Sequence, residues 1–310
     1  MKSLHYPQSG FSLGTKLKVT PFGSLCIVKH REMKGKIKTL TLKREASGKW
    51  FAIFCVEPEL GTGEVEQPKE RKNIHEEVGI DLGLKNFAVL SNGEVINNPR
   101  HIKKYKDKHA QFDRLRSRKV KGSHNRRKVN LKVARIDEKI ANSRADFLHK
   151  KTTELVNSYS LIALEKLASQ ELAGKEAFGH KLGKSVNDAG WGTFANMISY
   201  KAEEAGCKVV FVDPTNTTKM CNICRHLKDM PLDVRVYECP HCNLVMDRDL
   251  NSAINILARA KEMDLQTSTP KRNAHNGATV GITGSNACED GTKNPSMKQE
   301  ATAWATAKPW

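Results

Sequence analysis

No apolar run in these 310 residues approaches the roughly 18 that a membrane span needs, and the opening MKSLHYPQSGFSLGTK contains no apolar signal core. A cytosolic chain is expected. Aromatic side chains are few, with four Trp and five Tyr, which argues against the stacking platform of sequence-tolerant single-strand binders. Acidic residues are short as well: 34 Asp and Glu face 52 Lys and Arg, a formal charge of +18. That excess goes beyond what solubility needs and calls for a polyanionic partner, nucleic acid before a membrane surface. No serine or tyrosine stands in a nucleophile context, which disfavours strand transfer through a protein-bound intermediate.

Cysteine is present but uneven. Cys26, Cys55, Cys207 and Cys288 are scattered, whereas Cys221, Cys224, Cys239 and Cys242 form C-x2-C-x14-C-x2-C. In a cytosolic chain such a cluster indicates a metal more than disulfides. Each two-residue spacer lets one tight turn aim both sulfurs at one ion, and four thiolates leave no open position, so a structural Zn2+ is expected. An iron–sulfur cluster is the alternative, less suited to the symmetrical spacing.

Coarse patterning then orders the chain. Leu25–His30, Lys36–Arg44 and Lys49–Glu57 read as strands, the last two joined at Ser47-Gly48. A polar linker follows over 61–76. Val78–Leu82, Phe87–Leu90 and Val95-Ile96 read as three further strands, with Asn92-Gly93 as a hairpin turn. From His101 to Ile136 there are 14 Lys or Arg against Asp107 and Asp113, in a helical pattern broken near Gly122 and resuming through Leu155. Arg114, Arg116, Arg118, Lys119, Arg126, Arg127 and Lys128 are the candidate phosphate contacts, positioning nucleic acid without reading its sequence. Ser160–Leu167 reads as a buried strand carrying Glu165, and Cys207–Val212 as another. Between them a helix from about Trp191 stops at Gly206, with Trp191 and Phe194 as core anchors. A last helix starts near Asp249. The alternation of strands and helices is that of a mixed α/β sheet.

Three carboxylates stand out: Asp81 in GIDLGLKNFAVL and Glu165 in IALEKL, each in an otherwise apolar strand, and Asp249 in DRDLNSAINI, at a helix start directly after the cysteine segment. Taken singly, each has a bland reading: a solvated strand end, or a helix cap in the case of Asp249. Taken together they form a hard oxygen donor set suited to Mg2+ or Mn2+, and two such ions can activate water at a phosphodiester. Gly83 would leave room for a substrate backbone. An Asp-x-Gly strand also opens sugar-kinase-like ATPases, but that reading explains neither the cysteines nor the basic helices.

The order of these four motifs, over about residues 16–290, resembles TnpB, the transposon-encoded OrfB proteins related to type V CRISPR effectors. The resemblance implies an RNase H-like (RuvC) mixed sheet over 77–218 and 246–263, with inserted basic helices, and a zinc ribbon over 219–245. It implies a partial, wedge-like β-barrel module over 1–60 and a flexible tail over 264–310. Asp81, Glu165 and Asp249 become the metal-binding catalytic set of a two-metal DNA endonuclease. A guide RNA from the transposon end would direct it to double-stranded target DNA, in a prokaryotic, nucleoid-associated setting. With no HNH-like histidine group, one site would cut both strands in turn. The alternative is a guide-RNA and DNA binder without cleavage, because members usually begin with a further strand and a helical recognition segment that this chain is expected to lack. Arg225 and Asn243 also stand where the family's knuckles commonly carry glycine.

Overall fold

Leu40 and Leu42 on one strand, and Ala52 and Phe54 on the next, alternate with more exposed residues, so each strand presents one apolar face to a shared core. The computed structural model describes residues 2–30, 32–33, 35–57, 76–166, 185–231 and 233–268. The expected linker, save Glu76, and the expected tail past Ser268 lie outside them. The described residues fall into two compact units.

The first unit holds the N-terminal strands and residues 111–138. β1 (Lys2–Pro7), β5 (Lys36–Arg44) and β6 (Trp50–Glu57) form one antiparallel sheet in the order β1-β5-β6. β2 (Phe11–Leu13), β3 (Leu17–Val19) and β4 (Gly23–Leu25) form a second. Leu17, Val19, Leu40 and Phe54 fill the core that the two sheets share. Two expectations change here. The strand expected over 25–30 ends at Leu25, because its partner β3 is only three residues long and Leu25 already pairs with its first residue, Leu17. A further N-terminal strand is present: β1 pairs with β5 from Lys2↔Arg44 to Pro7↔Thr39. Its own pattern is weak, and its pairing with a longer strand defines it.

The second unit is built on a five-stranded sheet in the order β11-β10-β7-β8-β9. β7 (Glu77–Leu82), β8 (Asn86–Leu90) and β9 (Val95–Asn97) form an antiparallel meander, whereas β10 (Leu161–Glu165) runs parallel to β7, and β11 (Lys208–Val212) parallel to β10. Of the expected basic helices, α1 (His101–Ser117) and α2 (His124–Ser158) are joined by a turn with Gly122 at φ 83°. α3 (Trp191–Ala205) ends at Gly206, whose left-handed backbone sends its N–H to the Ala202 and Glu203 carbonyls. Leu148, Leu155, Phe194 and Ile198 from α2 and α3 cover one face of the sheet, and Trp191 joins that core. α4 (Arg248–Ser268) covers the other through Ile256 and Ala260, and runs five residues past the expected helix end at Met263. β12 (Val236–Glu238) and β13 (Val245–Asp247) form the hairpin of the cysteine segment. No helix among the described residues is long and apolar enough to cross a membrane.

Candidate metal centres and basic surface

Strand parity puts two of the three carboxylates on one face. Val78 and Ile80 enter the core shared with α2 and α3, so Gly79 and Asp81 face the other way, where Gly79 meets α4. β10 repeats the pattern: Ile162 and Leu164 join the first core, while Leu161 and Ala163 pack with α4 residues. Glu165 therefore lies on the α4 face. The parallel register that aligns Leu164 with Ile80 makes Glu165 and Asp81 neighbours across the two strands.

α4 supplies the third carboxylate at its first turn. The cap is Asp247, whose Oδ1 accepts the N–H groups of Asp249 at 2.9 Å and Leu250 at 3.1 Å. Asp249 is thus free of the capping role that was its bland reading. Its Oδ1 accepts Nε and Nη2 of Arg248, both at 3.1 Å, and Arg235 Nη1 lies 3.5 Å from Oδ2. Arg248 is almost fully buried and also donates to the Val234 carbonyl at 2.9 Å, which ties Asp249 to the ribbon. Glu165 has a different support, the hydroxyl of buried Thr217, which donates to Oε1 at 2.5 Å.

The electrostatics agree with this convergence. Burial pushes the Asp81 carboxyl well above the usual carboxylate range, and the charges of Glu165, Asp249 and Asp247 push it the same way against the pull of Arg248. Burial raises Glu165 too, opposed by the Thr217 hydrogen bond and Arg259. A divalent cation relieves such crowding of like charge. Among the described residues only the four cysteines bring three or more ligand atoms within 4.8 Å of one another, so the carboxylates stand wider than a tight cage. Gly83, read above as clearance for a substrate, has a local reason: its N–H donates to the Phe87 carbonyl at 3.1 Å, and a Cβ there would sit 3.0 Å from the Asn86 carbonyl.

The cysteine cluster is tight. Cys221 and Cys242 Sγ are 3.6 Å apart and Cys224 and Cys239 Sγ 3.5 Å. A tetrahedron with Zn–S bonds of about 2.3 Å has edges of about 3.8 Å, so the four thiols fit one zinc ion. The two knuckles are built alike: Arg225 N–H closes on the Cys221 carbonyl at 3.1 Å, and Asn243 N–H on the Cys239 carbonyl at 3.0 Å. Arg225 and Asn243 have φ of 62° and 58°, the conformation for which glycine is the usual choice. Tyr237 lies fully buried beneath the cluster and donates to the Lys219 carbonyl at 3.1 Å.

The seven basic candidates separate by role. Arg114, Arg118, Lys119, Arg127 and Lys128 are exposed. Arg116 pairs with Asp113 at 2.8 Å. Arg126 turns inward, and its Nη1 donates to the Arg116 and Lys119 carbonyls at 3.1 and 2.8 Å, closing the end of α1. Arg126 is half-buried there, with one guanidinium nitrogen committed to the turn.

The OrfB_IS605 family, described as "Probable transposase", matches residues 62–176, and the Cas12f1-like TNB domain matches 191–256. Among curated proteins, one from Streptomyces pristinaespiralis named "Putative RNA-guided DNA endonuclease" is 35% identical over 71% of this chain and 52% of its own. A protein from Escherichia coli K12 with the same name, suffixed InsQ, is 31% identical over 74% of this chain and 58% of its own. The chain spans little more than half the length of these relatives. Of solved structures, a Cas12f1 complex with sgRNA and target DNA is similar at a TM-score of 0.43 and 16% identity, over 82% of this chain and 66% of that one. The two family matches together take in more than half of the residues, including Asp81, Glu165, the four cysteines and Asp249, and the chain belongs to the TnpB (OrfB) family.

Proposed function

We propose that this chain is an RNA-guided, divalent-metal-dependent DNA endonuclease of TnpB type, working from a RuvC-like sheet. The observation that carries the reading is the gathering of Asp81, Glu165 and Asp249, from two strand ends and a helix start, on the α4 face. The sheet order β11-β10-β7-β8-β9, a meander extended by two parallel strands, supports an RNase H-like assignment. The N-terminal module is assigned the wedge-like, partial-barrel role.

Asp81, Glu165 and Asp249 would hold Mg2+ or Mn2+, which supplies an activated water and charge stabilisation at the scissile phosphate. The chain's own residues do the rest. Arg248 and Thr217 orient two of the carboxylates before any ion arrives. The cysteine segment, folded on Zn2+, carries the carbonyls that hold Arg248. Arg114, Arg118, Lys119, Arg127 and Lys128 offer cations to the phosphates of a guide RNA and its target DNA, and base pairing supplies the sequence choice. In this reading the guide comes from the transposon end and the protein acts in the cytoplasm at the nucleoid.

The test is to purify the protein with its bound RNA, sequence that RNA, and present matching double-stranded DNA with Mg2+. Cleavage that depends on the match supports the reading. Bound RNA without cleavage replaces it with a guided binder, and absence of RNA removes both.

A further inference from the structure

Between β11 and the first cysteine runs a turn, Asp213–Met220, that touches both carboxylate-bearing elements. On one side α4 presents Asn251, Asn255 and Arg259, spaced by four and therefore on one stripe of the helix. Asn251 donates to the Met220 carbonyl at 2.8 Å. Asn255 donates to the carbonyls of Thr217 at 2.9 Å and Met220 at 2.7 Å. Arg259 donates to those of Asp213 and of Thr215, the latter at 3.0 Å. On the other side a single side chain leaves the turn for β10. Thr217, 2% exposed, donates its hydroxyl to Glu165 Oε1 at 2.5 Å, while the Pro214 carbonyl, its other acceptor, lies at 3.0 Å. One proton serves one acceptor at a time, and the shorter contact to a carboxylate is the stronger.

A continuous path of hydrogen bonds therefore runs from the helix that carries Asp249, through Asn255 and the backbone of Thr217, to Glu165. It needs no ion. Like charges on Asp81, Glu165 and Asp249 would drive the three elements apart, and this path holds β10 and α4 together against them.

We propose that Thr217 is the positioning residue of the acidic site: it occupies Oε1 of Glu165, fixes the carboxylate's rotation and leaves Oε2 for a divalent cation. The inference rests on the metal-dependent reading given above. Outer-sphere hydrogen bonds of this kind typically change metal affinity about 10- to 100-fold when removed. Sequence alone concealed the residue, since Thr217 stands in NTTK as one of several hydroxyls in a polar turn.

The test is Mn2+ titration, followed by the spectrum of the free ion, on the full chain loaded with zinc and stripped of nucleic acid. Four proteins are compared: wild type, Thr217→Val, Thr217→Ser and Asp81→Ala. Zinc content and melting temperature are recorded for each, so that a folding defect is seen as such. Expected are an affinity about 10- to 100-fold weaker for Thr217→Val at unchanged zinc content, restoration by Thr217→Ser, and loss of the site in Asp81→Ala. Unchanged affinity in Thr217→Val overturns the positioning role and leaves the nuclease reading standing. Weakness shared equally by Thr217→Val and Thr217→Ser assigns the effect to shape and also overturns it. Absence of Mn2+ binding by wild type, or its retention in Asp81→Ala, overturns the metal-dependent reading and this inference with it.

Discussion

A Cβ added to Gly79 would lie 2.1 Å from the carbonyl oxygen of Ala253. β7 and α4 touch backbone to backbone at that point, and the contact lets a strand end carry Asp81 to the face on which α4 presents Asp249. The nearby Leu257 N–H and Cβ, at 2.8 and 2.9 Å from the same position, leave no direction of escape. Gly79→Ala must push the helix off the sheet. Overpacking of this kind costs about 3 kcal/mol or more where backbone has to move, which chemical denaturation would read directly. A denaturation midpoint equal to wild type would show that α4 adjusts freely and that the glycine has another cause.

Stability and acidity are linked through Asp81. Its folded-state pKa is raised, so its protonated form favours the folded chain. Stability from this group is fully present below the ordinary value of 3.8 and is lost as pH rises toward and through the raised one. In chelator, wild type should therefore lose stability relative to Asp81→Asn as pH is raised from 4 to neutrality, and Mg2+ should return it to wild type only. Parallel melting-temperature curves for the two proteins across that range would contradict the crowding of charge.

Asp247 and Asp249 stand two residues apart and have separable duties. Asp247→Ala removes a helix cap worth about 1 kcal/mol and should lower the melting temperature. Asp249→Asn keeps the cap, and should leave the melting temperature close to wild type while removing divalent binding. The opposite assignment of stability and binding would return Asp249 to the role of a cap.

Metal analysis checks the ribbon. Purified protein should hold about one equivalent of zinc, and Cys239→Ser should lose it together with the order of the knuckles. Because the Val234 carbonyl holds Arg248, and Arg248 holds Asp249, zinc loss should also weaken Mn2+ binding at the carboxylates. Iron in place of zinc, with a visible charge-transfer spectrum, would replace the assignment.

The basic helices make two distinct predictions. Lys119→Ala and Arg127→Ala remove exposed cations, so each should reduce the salt dependence of RNA binding by about 0.7 to 0.9 in slope. Arg126→Ala, which opens the end of α1, should lower stability instead. A salt slope unchanged in both surface variants would take the phosphates elsewhere.

What was legible in the chain follows its physics. An acidic residue closing an apolar strand is conspicuous, so Asp81 and Glu165 could be read in place, and four cysteines in two pairs announce a common ligand. Helices with 14 basic residues against two acidic ones announce themselves too. The supports could not be read. Thr217, Arg248 and Asn255 act across 52, 14 and 38 residues of sequence separation, and nothing in their local pattern distinguishes them from ordinary polar residues. β1 escaped because its register belongs to β5, and the inward hydrogen bonds of Arg126 escaped because a charge pattern does not tell which cation folds back onto a helix end.

The most direct measurement of the central claim is single-turnover cleavage of DNA matched to the copurified RNA, in Mg2+, by wild type and by Asp81→Ala, Glu165→Ala and Asp249→Ala. Wild type is expected to cut, with each variant retaining RNA but losing cleavage about a hundred- to a thousandfold, the usual cost of removing a group that stabilises developing charge. Cutting at an undiminished rate by any one of the three would contradict a single carboxylate metal centre.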